Sequence, residues 1–177
     1  MDNKDLKYFM KKHKKFSEVL TAFFILQVLK ALGYLKMWPI LHRDIKPENI
    51  MLNKNFTAKL GDFSLARKVE LHSKINASRS GTLPYLSPES VKKEASFDAF
   101  HYDKLDLFSL GVVMYILLFG KHPYNYQVNY ILIQNNMNHS DYAKVIDETE
   151  LTFPENKITS CCEDFLRGKI IYDFRDS

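Results

Sequence analysis

Apolar positions along the chain fall into a few blocks, separated by polar stretches marked with Gly or Pro. Residues 2–15 are charged and helix-compatible, with Leu6, Phe9 and Met10 at helical spacing. Ser17 reads as an N-cap with Glu18 in the first turn, opening a long apolar helix from Val19 to Met37. Two short apolar segments, Pro39-Ile40-Leu41 and Ile50-Met51-Leu52, bracket a polar stretch. Asn49 to Leu52, then Asn53-Lys54-Asn55, then Thr57-Ala58-Lys59-Leu60 read as a hairpin. Leu71 to Ser80 is polar and predicts a mobile loop. Val113 to Phe119 carries almost no polar atoms, the pattern of a helix surrounded by protein, and Gly120 with Pro123 ends it. Residues 125–140 are rich in Asn and Tyr and read as a helix with loops.

The longest apolar runs are Ala22 to Leu35 and Gly111 to Gly120. The first is broken by Gln27 and Lys30, and the second is half of the ~20 residues a bilayer needs, so both read as buried helices and no membrane partner is expected. A chain of 177 residues with 46% apolar content suits one domain with a packed core, large enough to bury roughly 70% of its unfolded surface. A net charge of +4 gives no argument for nucleic acid. The basic run Lys11, Lys12, Lys14, Lys15 reads as a solvated helix end. Cys161 and Cys162 are adjacent and cannot staple a fold, and no Cys/His metal spacing exists, which favours a reducing compartment. The N-terminus is polar and lysine-rich, unlike a signal peptide, and the expected location is cytoplasmic or nuclear.

The polar stretch His42-Arg43-Asp44-Ile45-Lys46-Pro47-Glu48-Asn49 packs two cations, two carboxylates and an amide around one proline. Pro47 fixes its own φ and pushes Lys46 out of helical geometry, so the stretch is a shaped loop. Asp44 can accept a proton from an attacking hydroxyl, Lys46 can neutralise a transferring phosphoryl group, and Asn49 offers a carbonyl oxygen to a hard cation. The hairpin returns the chain to its start, which would let Asn49 and Asp62 share one metal site.

These residues resemble the protein-kinase family. His42 to Asn49 resembles its catalytic loop, with Ile45 where Leu is frequent. Asp62-Phe63 resembles the metal-binding motif that follows, with Ser64 in place of Gly. Gly81-Thr82-Leu83-Pro84-Tyr85-Leu86-Ser87-Pro88-Glu89 resembles the end of the activation segment, with Ser87 where Ala is common. Asp106 to Val112 resembles the start of the central buried helix, with Phe108 for Trp. Leu151 to Pro154 and Cys162 to Leu166 resemble the turn and helix that come next, and Leu35-Lys36 stands where a Leu-His pair often ends the preceding helix.

The resemblance covers about residue 4 to about residue 170 and implies a mainly α fold: a kinase-like C-lobe over 1–177, helical with a short β-hairpin around the catalytic loop. It implies transfer of the ATP γ-phosphoryl group to a protein Ser or Thr hydroxyl, Lys46 and Gly81-Thr82 both belonging to the Ser/Thr pattern. Asp44 would act as base, Lys46 would touch the phosphoryl group, and Asn49 and Asp62 would hold Mg2+ across the phosphates of ATP. Arg43 would meet a phosphate on the activation segment, at Ser78 or Ser80. Thr82 would pack near the catalytic loop, Asp106 would buttress that loop through backbone hydrogen bonds, and Glu89 would pair with an Arg where Ser177 stands. His42 is expected to be packed rather than basic. Ser64 is expected to restrict the motif's switch, and Glu48 to favour a basic residue in the substrate.

The family's small lobe carries a Gly-rich loop, a strand lysine and a helix glutamate, and none has a place before Met1; Gly33 is the first glycine. Three readings stay open: a Ser/Thr kinase seen as a fragment, a lobe that binds partners without catalysis, and a kinase completed by a small lobe in trans. The second predicts a large exposed apolar face.

Overall fold

The computed structural model describes residues 4–70, 74–76, 80–92, 96–98, 102–124, 138–149, 151–154 and 158–170. Its centre is α4, Asp103–Phe119, buried on nearly every side along its length, as its lack of polar atoms predicts. Gly120 closes it in the left-handed region at φ 69°, its N–H donating to the Ile116 carbonyl. Against α4 packs α2, Glu18–Met37, capped by Ser17 Oγ accepting from the Leu20 N–H. Phe24, Ile25, Val28, Leu32 and Leu35 form its inward face.

The opposite face of α2 corrects the sequence reading. Val19, Phe23, Leu26, Tyr34 and Met37 are exposed, so this helix is buried on one side, although its composition and length alone would suit a bilayer span. Sidedness here is set by what packs against the helix, and the apolar residues run all round it. Gly33 lies on the open side, and a Cβ there would meet nothing within 4 Å. Gly33→Ala is therefore expected to stabilise the fold by about 0.5–1 kcal/mol through helix propensity alone, read as a higher urea midpoint.

Strands are short and antiparallel. β1 (Lys4–Asp5), β3 (Ile50–Leu52) and β4 (Ala58–Leu60) form one sheet in the order β1-β3-β4, with Lys4 opposite Leu52 and Ile50 opposite Leu60. The hairpin read from sequence is thus present, its turn held by Asn53 Oδ1 accepting from the N–H groups of Asn55 and Thr57. β2 (Ile40–Leu41) pairs with β5 (Arg67–Lys68). β6 (Lys74–Asn76) pairs with β7 (Ser96–Asp98), so part of the expected loop is a strand. The first helix, α1, runs Leu6–His13 after an Asp5 cap, within the stretch read as helix-compatible. Among the described residues the remaining α-helices are α3 (Pro88–Val91), α5 (His139–Glu148) and α6 (Ser160–Ile170). The helix expected over 125–140 lies mostly outside the described residues. The fold is mainly helical with a few small strands, as the sequence predicts.

Candidate active site

The polar loop leaves β2 and is fastened from below by α4. Asp106, 4% exposed, accepts from His42 N–H at 2.7 Å and Arg43 N–H at 2.9 Å. Burial pushes its carboxyl up to about 6, against both backbone bonds and the Arg43 charge. His42 is fully buried; its Nε2 meets the Gly61 carbonyl at 2.9 Å and therefore carries the proton, while Nδ1 accepts from Asp44 N–H at 3.3 Å. Burial lowers its pKa, so the ring is neutral and packed. Phe63 lies edge-on to it at 4.8 Å.

Asp44 is surrounded by donors. Oδ1 accepts from the Thr82 N–H at 3.1 Å and hydroxyl at 2.7 Å. Oδ2 meets Lys46 Nζ at 2.7 Å and Asn49 Nδ2 at 3.0 Å. Lys46 Nζ also donates to Thr82 Oγ1 at 2.8 Å, closing a ring of three side chains. Burial works to raise the Asp44 pKa, but Lys46, Thr82 and Asn49 outweigh it and hold the carboxyl below its usual value. The approach of Thr82 depends on Gly81 at φ 126°, where a Cβ would stand 2.4 Å from the Arg43 carbonyl oxygen.

Gly61 N–H donates to the Asn49 carbonyl at 2.9 Å, so the hairpin ends where it began. Both Asn49 side-chain hydrogens go to Asp44, at its carboxylate and, at 2.8 Å, its carbonyl, leaving Oδ1 as the atom available to a cation. Asp62 is exposed, and its Oδ1 accepts from Ser64 Oγ at 2.6 Å and Ser64 N–H at 3.3 Å. That pair of bonds from Ser64 lowers the Asp62 pKa and leaves Oδ2 for a ligand. An amide oxygen and an ionised carboxylate suit a hard divalent cation that keeps water or phosphate in its remaining positions. Among the described residues no group of three or more His, Cys, Asp or Glu offers a fuller metal cage.

Ser64, expected to restrict the motif's switch, has no positive φ. Positive φ falls instead on Asp62 (56°) and Arg43 (68°). Arg43 Nε donates to the Leu65 carbonyl at 2.6 Å, close enough to Arg67 to feel its charge. Ser80 is half-buried and Ser78 lies outside the described residues, as does Ser177. Burial raises the Tyr124 pKa, and the charge of Glu89, in the first turn of α3, adds to it. Glu48 is met by Lys7 of α1 rather than standing open. Sequence reasoning missed the Lys36–Asp103 pair at 2.8 Å and the Tyr102 hydroxyl donating to the Lys36 carbonyl at 3.0 Å, which pin α2 to the start of α4. Lys36 stands where the family pattern has His, and its partner lies 67 residues away.

A family model described as protein kinase domain matches residues 1–176. The chain belongs to the protein kinase family. It is 34% identical over 157 residues to an Aurora kinase of Encephalitozoon cuniculi, covering 89% of this chain and 52% of that protein. It is 32% identical to serine/threonine-protein kinase 1 of Heliothis zea nuclear polyhedrosis virus, over 96% of this chain and 58% of that protein. An Aurora kinase of Schizosaccharomyces pombe shares 36% over 82% of this chain and 36% of its own length. The chain thus spans about half the length of the curated relatives it matches, or less. Members of this family use ATP and Mg2+ and act on protein substrates.

Two buried groups give this kinase chain opposing pH dependences. Asp106 is raised from 3.8 to about 6, so the folded state binds the extra proton and stability falls as pH rises through that window. Burial lowers His122 from 6.5 to about 4, against its contacts with the Pro84 and Tyr124 carbonyls, so stability rises with pH from about 4 to 6.5. The two slopes oppose between pH 4 and 6, each about 1 kcal/mol per pH unit. His42, also lowered by burial, adds to the rising slope, so His122→Gln is expected to make urea stability rise less, or fall more, from pH 4.5 to pH 6 than in the unaltered protein. An unchanged slope in that variant refutes the assignment.

Proposed function

We propose that this chain is the C-terminal lobe of a serine/threonine protein kinase that transfers the ATP γ-phosphoryl group to a protein hydroxyl. The reading rests on one observation, the Asp44 carboxylate clasped by Lys46, Thr82 and Asn49 at hydrogen-bond distance. Held ionised and in one orientation, Asp44 directs the acceptor hydroxyl toward its target. With its pKa depressed it is a weak base, so it takes the proton late, once bond formation has acidified the hydroxyl. Lys46, already bridging Asp44 and Thr82, places a positive charge beside the acceptor. Asn49 Oδ1 and Asp62 Oδ2 would hold the cation. Mg-ATP, when bound, supplies the phosphoryl group and part of the charge neutralisation. Lys46 and Thr82 together favour Ser or Thr over Tyr, by the family's pattern.

The Gly-rich loop, strand lysine and helix glutamate would come from a further segment of the same protein or from a separate chain. Reading the gene in frame upstream of Met1 distinguishes these. For activity, the chain joined to or mixed with a small lobe is incubated with labelled ATP, Mg2+ and matched Ser, Thr and Tyr peptides. Label on Ser or Thr is expected. Label on Tyr overturns the specificity, and no label on any peptide overturns catalysis. The second reading, a lobe that binds partners without catalysis, draws on the exposed Phe63, 47% accessible beside buried His42, and on the apolar outer face of α2.

A further inference from the structure

The 3-10 turn Leu83–Tyr85 is held from behind by three side chains that the Asp44 cluster does not use. His122 Nε2 donates to the Pro84 carbonyl at 2.8 Å, and the Tyr142 hydroxyl donates to the same oxygen at 2.7 Å. Ser109 Oγ donates to the Tyr85 carbonyl at 2.6 Å. The donors come from the segment after α4, from α5 and from α4 itself. A carbonyl oxygen has two lone pairs, and Pro84 fills both with donors from separate elements.

The front of the same turn is Thr82, whose N–H and hydroxyl both reach Asp44 Oδ1. Tyr85 N–H donates back to the Thr82 carbonyl at 2.9 Å, so front and back are one hydrogen-bonded unit. A shift of the Pro84 carbonyl is carried through this short turn to Thr82. We propose that His122 and Tyr142 are positioning residues: by fixing the Pro84 carbonyl they hold Thr82 against the Asp44 carboxylate. The functional meaning rests on the reading of Asp44 as the acceptor base. Tyr142 is 1% exposed, and a phenylalanine would fill the same space, so the hydroxyl is what this role requires.

The test is amide exchange and the proton shift of the Thr82 N–H, measured by NMR on the full chain, with α4 amides as the internal reference. Tyr142→Phe is expected to speed Thr82 exchange roughly two- to tenfold over the reference, the effect of one lost hydrogen bond, and to move its resonance upfield. His122→Ala is expected to do the same, and His122→Gln, which keeps a donor at the Nε2 position, to restore the native values. If His122→Ala fails to fold, Tyr142→Phe decides, since it removes one oxygen from a buried ring. Thr82 protection and shift unchanged in folded Tyr142→Phe overturn the proposal. Neither readout needs phosphoryl transfer, so failure of this positioning role and failure of the kinase reading appear in different experiments.

Discussion

Gly81→Ala is expected to destabilise the protein by about 2–4 kcal/mol and to pull Thr82 away from Asp44. Two costs add at this position. Its φ of 126° is one that side-chain-bearing residues rarely adopt, and the new Cβ would stand 2.4 Å from the Arg43 carbonyl oxygen. A second close neighbour, Leu86 Cδ2 at 2.7 Å, can rotate away. The Arg43 carbonyl has less freedom, because the Arg43 N–H is bonded to Asp106 in the buried α4. Relief must therefore come from the activation-segment side, where Thr82 is the next residue. The check is a urea titration paired with the Thr82 amide resonance; a midpoint within error of the unaltered protein would show that the two loops are not packed as tightly as this contact requires.

The same contact illustrates what a sequence can and cannot disclose. Gly81-Thr82 stands out as part of a pattern, but nothing local says that a carbonyl 38 residues upstream leaves no room for a methyl group. The loop from His42 to Asn49 was legible because its chemistry is dense: charged groups, an amide and a proline fall within eight residues, between apolar segments that had to be buried. The hairpin behind it was legible from its Asn-rich turn, and α4 from the absence of polar atoms. The outer face of α2 was not, since a helix apolar all round gives no sign of which side will find a partner. Nor were β1, β2 and β5 legible, because strands of two residues carry no alternation to detect. The Pro84 carbonyl is reached by His122 from 38 residues away and by Tyr142 from 58, distances over which pattern says nothing. Ser64 was read through the glycine it replaces. What it does here is bond the Asp62 carboxylate, while the strained backbone sits on Asp62 itself.

Asp44→Asn is expected to have the largest effect on activity, lowering kcat by about 10²–10⁴-fold in the protein completed with its small lobe, with the KM for ATP little changed. An amide of the same shape cannot accept the acceptor proton. The surroundings add a second consequence. Lys46, Asn49 and Thr82 all donate to this carboxylate, so whichever way the new amide turns, its NH2 faces at least one donor. The variant should therefore lose about 1–3 kcal/mol of stability as well as its base, and the ring through Lys46 and Thr82 should loosen. Steady-state kinetics and a urea titration on one preparation separate the two effects. A variant that keeps near-normal turnover sinks Asp44 as the base. One that loses turnover with no change in stability would mean that the donors around Asp44 are not engaged as these distances imply.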